Sequence, residues 1–307
     1  MSEDSALFAL ATVDYEGQAT ACLEIAGQYY PIAPACRQFN LPPLPDSLIS
    51  LFADWATNLA LLRTLAERCR SAGAALALDA AAVTVLTPLQ YPGKVLCAGA
   101  NYYDHLVEMG IPDVRKEAQR LFFFFKPPRN ALVGPGRTVK YPPYTQALDW
   151  EIELALVIGQ TARQLTMENA LEAVAAYTVG IDLSTRDLGR APNTFYKIDW
   201  VAGKAHDCCG PLGPRLVPAE FIADPQDLGL MLSVNGERKQ DARTSGMIFD
   251  IREQLVTLSN IMTLDPGDVV LTGTPAGVGV PKQTFLKPGD KVEATIEQIG
   301  TLAVEIY

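Results

Sequence analysis

The 307-residue sequence predicts a β-rich α+β fold in which most strands pair antiparallel. Short apolar segments recur along the chain, and Pro-Gly or Asn-Gly turn sequences separate many of them. Few segments have the apolar spacing of an amphipathic helix. Because helices do not alternate regularly with the predicted strands, a mixed sheet is favoured over a doubly wound α/β fold.

The first part of the chain, residues 1–90, is predicted to form a small N-terminal α/β domain. Residues 6–33 alternate apolar runs with turn residues, which indicates two or three strands. The turns are expected at residues 16–17 and 26–27, because each pair ends in a glycine that tolerates a positive φ. These strands would form the sheet of the small domain.

One long helix is predicted after the proline-rich loop of residues 34–45. Leucine and aromatic residues then recur at helical spacing as far as Ala72. Asp46 or Ser47 is a suitable N-cap for this helix, and Gly73 is a suitable stop. The domain boundary is expected near residue 90, after this helix.

The remaining residues, 91–307, are predicted to form a larger β-rich domain. Its strand segments are KVLCAGA, the run around Glu151, TVGIDLS, LGLMLSVNG, GDVVLTG and DKVEATIEQIG. Helices are predicted over residues 166–176 and 247–262. Pro-Gly-Asp occurs at residues 266–268 and 288–290, just before a predicted strand each time, and indicates two turns.

Composition narrows the classes of partner and the cellular location. The formal net charge is −10, and no dense Lys/Arg block appears, so nucleic acid and anionic membranes are not expected partners. The N-terminus lacks the pattern of a signal peptide, and no apolar run is long enough to span a bilayer. Six cysteines without a C-x-x-C motif indicate reduced thiols, and we expect a cytoplasmic protein. Two histidines exclude a His-rich zinc site.

Two glutamates interrupt the apolar strand DWEIELALVIG. Glu151 and Glu153 are two residues apart, so their side chains share one face, while Trp150, Ile152 and Leu154 point the other way. Two carboxylates about 4 Å apart repel by roughly 1 kcal/mol in water and by several times more in a buried site. Solvent, a basic partner, protonation or a cation must offset this repulsion. Solvent at an edge strand is the ordinary explanation.

Asp182 favours a bound cation as the explanation. It lies at the polar end of the strand YTVGIDLSTRD, and a helix between the two strands would let them become neighbours. Three carboxylates without His or Cys suit Mg²⁺, Mn²⁺ or Ca²⁺. The same site would serve a non-catalytic β-rich module with a structural cation, which is a separate hypothesis.

Other candidate residues lie in four short motifs. His105 and Glu108 are three residues apart in GANYYDHLVEMG, and on a helix they would form a general base or an ordinary surface pair. Lys204, in VAGKAHDCCGPLGP, would hold a carboxylate or stabilise an enolate, or would be a solvated lysine. Thr274, in TGTPAGVG, could contact an anion. Lys126 is expected to emerge from a buried strand of four phenylalanines.

Taken in order, several stretches resemble the fumarylacetoacetate hydrolase family. They are NYYDHLVEM, FFFFKPPRNALVGPG, LDWEIELALVIG, YTVGIDLSTRD, GKAHDCCGPLGP, VNGERKQ and LDPGDVVLTGTPAGVG. The resemblance covers roughly residues 90–307, and the preceding residues are similar to the small N-terminal region of longer members. It implies a rolled mixed β-sheet, a homodimer and a place in aromatic catabolism.

The resemblance also implies the roles of site residues. Glu151, Glu153 and Asp182 would bind Mg²⁺ or Mn²⁺; His105 and Glu108 would activate water; Lys204 would lie beside the metal; Arg186, Lys126 and Thr274 would contact substrate. One departure is Gly189, where many members carry Gln. Because this position borders the family's pocket, the departure leaves the identity of the substrate open.

The activity implied is hydrolysis of a C–C bond in a 2,4-dioxo acid of the acylpyruvate or fumarylpyruvate type. The 2-oxo acid would chelate the metal, His105 would deprotonate a water, and the metal with Lys204 would stabilise the departing enolate. The alternatives are an isomerase or decarboxylase of the 2-hydroxyhepta-2,4-diene-1,7-dioate or oxaloacetate type. Residues 101–120 are expected to form a lid over the bound substrate.

Overall fold

The computed structural model describes residues 8–307, so the expected beginning of the first strand at residues 6–7 lies outside the described part. The same holds for most of the N-terminal segment in which no signal peptide is expected. Within residues 8–307, no helix combines the length and the apolar character that a bilayer crossing requires. The predicted cytoplasmic location and homodimer stay predictions.

The described chain contains many short strands and few long helices. The strands are β1 (Ala9–Tyr15), β2 (Gln18–Ile25), β3 (Gln28–Pro31), β4 (Thr84–Val85), β5 (Val95–Ala98), β6 (Phe123–Phe125), β7 (Leu132–Val133), β8 (Thr138–Val139), β9 (Leu148–Asp149), β10 (Ile152–Ile158), β11 (Val174–Ile181), β12 (Ser184–Thr185), β13 (Arg190–Ala191), β14 (Lys197–Ile198), β15 (Gly210–Pro218), β16 (Gly229–Val234), β17 (Glu237–Arg243), β18 (Val269–Leu271), β19 (Lys291–Ile296) and β20 (Gly300–Ile306). The helices are α1 (Ile32–Gln38), α2 (Leu48–Leu51), α3 (Trp55–Ala72), α4 (Tyr103–Glu108), α5 (Arg186–Gly189), α6 (Trp200–Lys204) and α7 (Ile251–Ile261).

Two large sheets organise these strands. The larger has 11 strands, with the main order β3-β2-β1-β15-β11-β10-β18-β5-β6; β4 joins it beside β1, and β7 beside β15. The smaller has the order β17-β16-β19-β20-β8. Most neighbours are antiparallel, whereas β18–β5, β15–β7 and β20–β8 are parallel. The predicted β-rich, mixed fold is therefore confirmed.

The N-terminal hairpins form where the sequence predicts them. Glu16 and Gly17 both have positive φ, of 53° and 78°, as a two-residue turn between antiparallel strands requires. The helix predicted next is interrupted, because a 3-10 turn at Phe52–Asp54 separates α2 from α3. Gly73 ends α3 with φ of 64°, a conformation that costs glycine little.

The N-terminal strands continue the large sheet of the rest of the chain. Leu10 of β1 pairs with Leu216 of β15. One core cluster also joins the two parts, because it contains Leu10 and Leu65 together with Val157 and Leu271. The division into domains at residue 90 stays a prediction; in the structure the two parts share a sheet and a core.

The prediction of a helix over residues 166–176 is wrong. A 3-10 turn occupies Ala170–Ala173, and β11 begins at Val174. Pairing with β10 on one side and β15 on the other buries every residue of β11, and this tertiary pairing overrides the local helical spacing. The helix predicted over residues 247–262 is present but begins later, because Asp250 and Glu253 form a capping box before Ile251.

Strand β10 positions the acidic residues, because it lies inside the large sheet and a hydrophobic core covers each of its faces. Ile152, Leu154 and Leu156 belong to one core cluster, and Ala155 and Val157 belong to the other. Glu153 has the parity of the second set, so its carboxylate points away from Ile152 and Leu154, as the sequence predicts. The sheet thus carries an acidic side chain into a buried region.

Candidate active site

Three carboxylates meet where β10 and β11 pair. Glu153 lies opposite Gly180, and one step further the backbone N–H of Asp182 donates to the carbonyl of Glu151 at 2.8 Å. Residues opposite one another in an antiparallel pair share a face. Carboxylate oxygens of Glu151, Glu153 and Asp182 accordingly lie within 4.8 Å of one another, and all three side chains are buried.

Basic partners offset part of this negative charge. Lys204 Nζ donates to Glu151 Oε2 at 2.6 Å and to Asp182 Oδ2 at 2.5 Å. Arg186 donates to the other oxygen of Glu151 at 2.5 Å. Burial raises the pKa of Glu151, but the charges of Arg186 and Lys204 outweigh this effect and hold that pKa well below its usual range. Glu151 is therefore an anion at neutral pH.

Glu153 is less well compensated, because the charge of Lys204 offsets only part of the effect of its surroundings. Its hydrogen-bond donor is the backbone N–H of Gly273, at 2.6 Å. Burial, followed by the charges of Asp182 and Glu151, raises the pKa of Glu153 well above its usual value. A divalent cation would relieve this repulsion, and the set of hard oxygen ligands suits Mg²⁺ or Mn²⁺. The three residues thus fit the metal that the sequence predicts.

The predicted His105–Glu108 pair is formed on the short helix α4. His105 Nδ1 and Glu108 Oε1 are 2.8 Å apart. Because an ionised carboxylate only accepts, Nδ1 carries the proton and Nε2 is left as a base. Glu108 Oε2 also accepts the backbone N–H of Gly277 at 2.8 Å, which ties α4 to the glycine-rich segment containing Thr274.

A cavity of about 150 Å³ connects these groups. It is lined by His105, Glu151, Glu153, Asp182, Arg186, Lys204, Thr274, Phe122, Phe124, Trp200 and the segment 98–100. Phe124 stacks on Trp200 with ring centroids 5.1 Å apart, and Phe122 packs on the same indole at 5.4 Å. The cavity is therefore lined by charged side chains and by a cluster of three aromatic rings.

Lys126 does not line this cavity, in contrast to the predicted substrate contact. The sequence predicts that its ammonium emerges from the phenylalanine strand, but the side chain is fully enclosed. It lies 2.7 Å from Asp182 Oδ1 and donates to the carbonyls of Leu183, Lys204 and Cys209. The lysine turns inward because Asp182 and three buried carbonyls supply partners for its ammonium, and it thereby offsets the charge of Asp182.

Thr274 and Arg186 do line the cavity. Thr274 Oγ accepts from the Gln240 side chain at 2.9 Å, which leaves its own O–H available to a ligand. Arg186 donates through Nε to Asp149 at 2.9 Å, while its other end reaches Glu151. Contact of either residue with a substrate stays a prediction.

Two residues that support the site, Asp149 and Gln240, are not predicted from the sequence. Asp149 is buried, and besides Arg186 it accepts backbone N–H groups of Trp150, Gly279 and Val280. Gln240 donates to Thr274 and to the carbonyl of Pro275, and it accepts from the N–H of Ile152. Asp149 stands at the start of the acidic strand motif, which was a usable signal, whereas Gln240 lies in a polar strand and has none.

A larger surface groove, of about 590 Å³, lies over the N-terminal strands. Arg37, Glu16 and Asp46 contribute its charged side chains. In the described part of the chain, the group of acidic, His or Cys side chains close enough to share a metal ion is the trio around Glu153, and it lies elsewhere. The smaller cavity is therefore the better candidate for catalysis.

These observations define a class of protein. A mixed β-sheet carries a buried carboxylate trio, and one small cavity is lined by this trio and by His105, which pairs with Glu108. This is the arrangement of an enzyme site rather than of a solvated surface. Residues 94–307 match the family model described as fumarylacetoacetate (FAA) hydrolase, C-terminal. The chain belongs to the fumarylacetoacetate hydrolase family.

Relatives in this family are enzymes of more than one kind. The mitochondrial oxaloacetate tautomerase FAHD2B of Bos taurus is 38% identical over 264 residues, which cover 85% of this chain and 80% of that protein. The human protein of the same name is 41% identical over 222 residues, 72% of this chain and 68% of that protein. The chain is thus similar to tautomerases along most of its length.

Solved structures extend the range of activities. A fumarylacetoacetate hydrolase from Exiguobacterium antarcticum is 33% identical, with a TM-score of 0.77 over 97% of this chain and 99% of that one. A fumarylpyruvate hydrolase from Pseudomonas aeruginosa, in complex with Mn²⁺ and pyruvate, is 33% identical, with a TM-score of 0.63 over 73% and 91%. A 2-hydroxyhepta-2,4-diene-1,7-dioate isomerase from Mycobacterium marinum is 29% identical, with a TM-score of 0.70 over 97% and 98%.

Proposed function

We propose that the chain is a divalent-metal-dependent hydrolase that cleaves a C–C bond in a 2,4-dioxo acid, of the acylpyruvate or fumarylpyruvate type. One observation carries the proposal: His105, whose Nδ1 pairs with Glu108, lines the same cavity as the three carboxylates. The base and the metal ligands can therefore act on one small substrate. The similar hydrolase with Mn²⁺ and pyruvate supports both the metal and the product class.

Glu151, Glu153 and Asp182 would hold the ion, since their oxygens converge and, among residues 8–307, Glu153 has no cationic partner in hydrogen-bond contact. A bound divalent ion would polarise the carboxylate and keto oxygens of a 2-oxo acid and stabilise negative charge that develops there. Lys204 presently bridges Glu151 and Asp182. Its ammonium adds positive charge beside the same oxygens and would help to hold an anionic substrate.

His105 would act as the general base. Glu108 fixes the proton on Nδ1, so Nε2 can take a proton from a water molecule. The N–H of Gly277 holds the far oxygen of Glu108 and keeps the pair aligned. The activated water then attacks the distal carbonyl. The C–C bond breaks, and its electrons pass to the 2-oxo acid fragment. Protonated His105 can return its proton to the departing carbon.

A second candidate is an isomerase, tautomerase or decarboxylase acting on oxaloacetate-like or hydroxydienedioate acids. The similarity to oxaloacetate tautomerases over 85% of the chain favours it. The chemistry differs because His105 would not activate water. In an isomerase or tautomerase it would move a proton between atoms of the substrate, and in a decarboxylase its protonated form would give a proton to the carbon from which CO₂ has departed. The two candidates share the carboxylate trio and the base.

A substrate panel separates these functions. Acylpyruvates, fumarylpyruvate, oxaloacetate and a hydroxydienedioate would be assayed with Mg²⁺ and with Mn²⁺, following pyruvate release, CO₂ release and loss of enol absorbance. A hydrolase releases pyruvate and a second acid from the dioxo acids. Turnover of oxaloacetate enol alone would instead establish the tautomerase, and no turnover with any acid would leave the hypothesis of a structural cation site.

The His–Glu pair can be tested within the same assay. Glu108→Gln keeps the size of the side chain but removes the charge that stabilises protonated His105. We expect kcat to fall by about 10²- to 10³-fold with little change in KM, because proton transfer occurs after binding. Glu117→Gln, which changes an exposed glutamate of the same segment, is the matched control. Full activity of Glu108→Gln would exclude His105 as the base.

A further inference from the structure

The peptide that joins Thr272 to Gly273, just after β18, supplies the hydrogen bond that Glu153 accepts. The N–H of Gly273 donates to Glu153 Oε2 at 2.6 Å, and no other hydrogen bond to this carboxylate is found among residues 8–307. The N–H and the hydroxyl of Thr272 both donate to the carbonyl of Leu154, at 3.0 and 2.9 Å. Thr272 is thus fixed on β10, beside Glu153. The orientation of the next peptide then decides whether Glu153 meets a donor or an acceptor.

Asn101 holds the carbonyl side of this peptide. Its Nδ2 donates to the carbonyls of Thr272 and Phe249, both at 2.9 Å, and its Oδ1 accepts the N–H of Phe249 at 2.9 Å. The side chain is fully buried, and both of its polar atoms have partners. Gln254 of α7 is a weaker second donor, since its Nε2 lies 3.4 Å from the same carbonyl of Thr272. Asn101 is therefore the main support of this carbonyl.

Rotation of the peptide would reverse the polarity that Glu153 faces. The C=O and N–H of a trans peptide point in opposite directions, so a carbonyl held by Asn101 leaves the N–H facing Glu153. A flipped peptide would aim an oxygen at the buried carboxylate and repel it. Gly273 permits such a flip, because glycine at φ of 99° has access to both signs of φ. Asn101 opposes the flip.

We propose that Asn101 is a positioning residue for the metal site: through the Thr272–Gly273 peptide it fixes the donor that orients Glu153. Groups that hydrogen-bond to a metal ligand orient it towards the ion, and the loss of such a group typically weakens metal binding by about 10- to 100-fold. With one oxygen of Glu153 held by the peptide, the other is presented to a divalent ion. The inference rests on the carboxylate trio as the metal site of the proposed function. It adds a residue that lies outside the cavity lining.

Titration of Asn101→Leu with Mn²⁺ tests the proposal. Leucine keeps the branching and approximate size of asparagine but donates no hydrogen bond, so the peptide can turn away from Glu153. We expect calorimetry to give a Kd for Mn²⁺ about tenfold higher than in the wild type. Ser259→Ala is the matched control, because it removes the hydrogen bonds of a buried side chain to the backbone of Leu165 and Val256, outside the cavity lining. Its Kd should not change.

A double-mutant cycle with Glu153 distinguishes positioning from a general loss of structure. In the Glu153→Ala background the peptide has no carboxylate to orient, so adding Asn101→Leu should change the Kd for Mn²⁺ by less than about twofold. Damage to the site as a whole would instead weaken binding equally in both backgrounds. Electron paramagnetic resonance of free Mn²⁺ at millimolar concentrations measures the weak affinities of the Glu153→Ala proteins.

Gln254→Leu tests the same peptide through its weaker donor, in case Asn101→Leu does not fold. Because the Nε2 of Gln254 is farther from the carbonyl of Thr272 than the Nδ2 of Asn101, we expect the Kd for Mn²⁺ to rise by only about two- to threefold. This smaller loss should also vanish in the Glu153→Ala background.

The outcomes separate this inference from the proposed function. Equal Mn²⁺ affinity of the wild type and Asn101→Leu would overturn the inference and leave the metal site in place. A tenfold loss that persists in the Glu153→Ala background would also overturn it, since Asn101 would then not act through Glu153. If the wild type binds no Mn²⁺, the carboxylate trio is not a metal site, so the proposed function fails and the inference fails with it.

Discussion

At the scale of single residues, Glu151 and Glu153 illustrate how one strand can hold two carboxylates in different states. Glu151 has two cationic partners, Lys204 and Arg186, and is held ionised. Glu153, two positions on, has one backbone N–H and two neighbouring negative charges. A buried charge without a partner destabilises the fold. The site therefore retains repulsion that a proton on Glu153 or a bound cation would relieve.

This difference predicts opposite effects of two similar substitutions on the metal-free protein. Glu151→Gln should lower the free energy of unfolding by about 2 kcal/mol, because it weakens hydrogen bonds to two buried cations. Glu153→Gln should raise it, because the unfavourable buried carboxyl is replaced by a neutral amide. Both should weaken Mn²⁺ binding by at least about 100-fold. Urea unfolding without metal and Mn²⁺ titration measure the two effects.

Glu293→Gln is the control, since Glu293 is an exposed glutamate on strand β19. It should change neither quantity. Unchanged Mn²⁺ affinity in both site variants would remove the carboxylate trio as the metal site. Destabilisation by Glu153→Gln of the same size as by Glu151→Gln would show that the two side chains have equivalent partners in solution.

The residues that sequence reasoning identified share a local signal. Glu151 with Glu153 has strand spacing, and His105 with Glu108 has helix spacing, so each pair could be recognised from a few letters. The roles of Asp149 and Lys126 could not be assigned in this way, although Asp149 stands beside the acidic motif. Apart from the adjacent Trp150 N–H, the partners of Asp149 lie between 37 and 131 positions away, and the carbonyls around Lys126 lie 57 to 83 positions away, so both roles depend on the tertiary fold.

At the scale of elements, the contrast between local and tertiary signals separates the N-terminal hairpins from the inner strands. The turns at residues 16–17 and 26–27 were predictable because glycine marks them locally, and the hairpins they join are adjacent in sequence. The start of strand β11 was not, because the sequence predicts a strand over TVGIDLS but a helix as far as residue 176, whereas β11 already begins at Val174. Its neighbours β10 and β15 decide the conformation of these first residues, which are small, apolar and buried.

The predicted lid, a flap of residues 101–120, is anchored at its first residue. Its first residue, Asn101, is buried and bonds to the backbone of Phe249 and Thr272. Beyond α4 most side chains are exposed, and Lys116 makes a half-exposed ion pair with Glu253 of α7. Elements with few buried contacts open at low free-energy cost. Since His105 lies on α4 and lines the cavity, this segment carries part of the site.

Hydrogen exchange tests this lid. With Mn²⁺ and oxalate bound, amides of residues 106–120 should be protected by about tenfold or more relative to the free protein, because a ligand beneath the flap favours the closed state. Helix α7 should show the same protection in both states and serves as the internal reference. Equal exchange of the flap with and without oxalate would show that it does not close on ligands.

At the scale of the whole molecule, the continuous sheet should make unfolding cooperative. Strands β1 to β3 extend the large sheet beyond β15, and one core cluster includes residues from both sides of residue 90. Contacts shared in this way tie the stability of the N-terminal strands to that of the site. A change in the free energy of a buried N-terminal group should therefore appear in the unfolding of the entire chain.

Cys22 on β2 provides such a group. It is fully buried, and burial raises the pKa of its thiol to about 12, whereas an unfolded thiol titrates near 8.5. Above pH 8.5 only the unfolded chain loses this proton, so the free energy of unfolding should fall as pH rises, by about 1.4 kcal/mol per pH unit from this thiol. Below pH 8.5 the thiol has no pH effect, because both states keep the proton.

Comparison with Cys22→Ala isolates this contribution from the other groups that titrate at high pH. At pH 7 the variant should be less stable by a constant amount, because the substitution leaves a small cavity. Between pH 8.5 and 10 that difference should shrink by about 2 kcal/mol, since the variant has no thiol to release. Urea unfolding under reducing conditions, followed by tryptophan fluorescence and by far-ultraviolet circular dichroism, measures it. A difference independent of pH would show that the Cys22 thiol titrates alike in both states, and separate transitions in the two signals would show that the N-terminal strands unfold on their own.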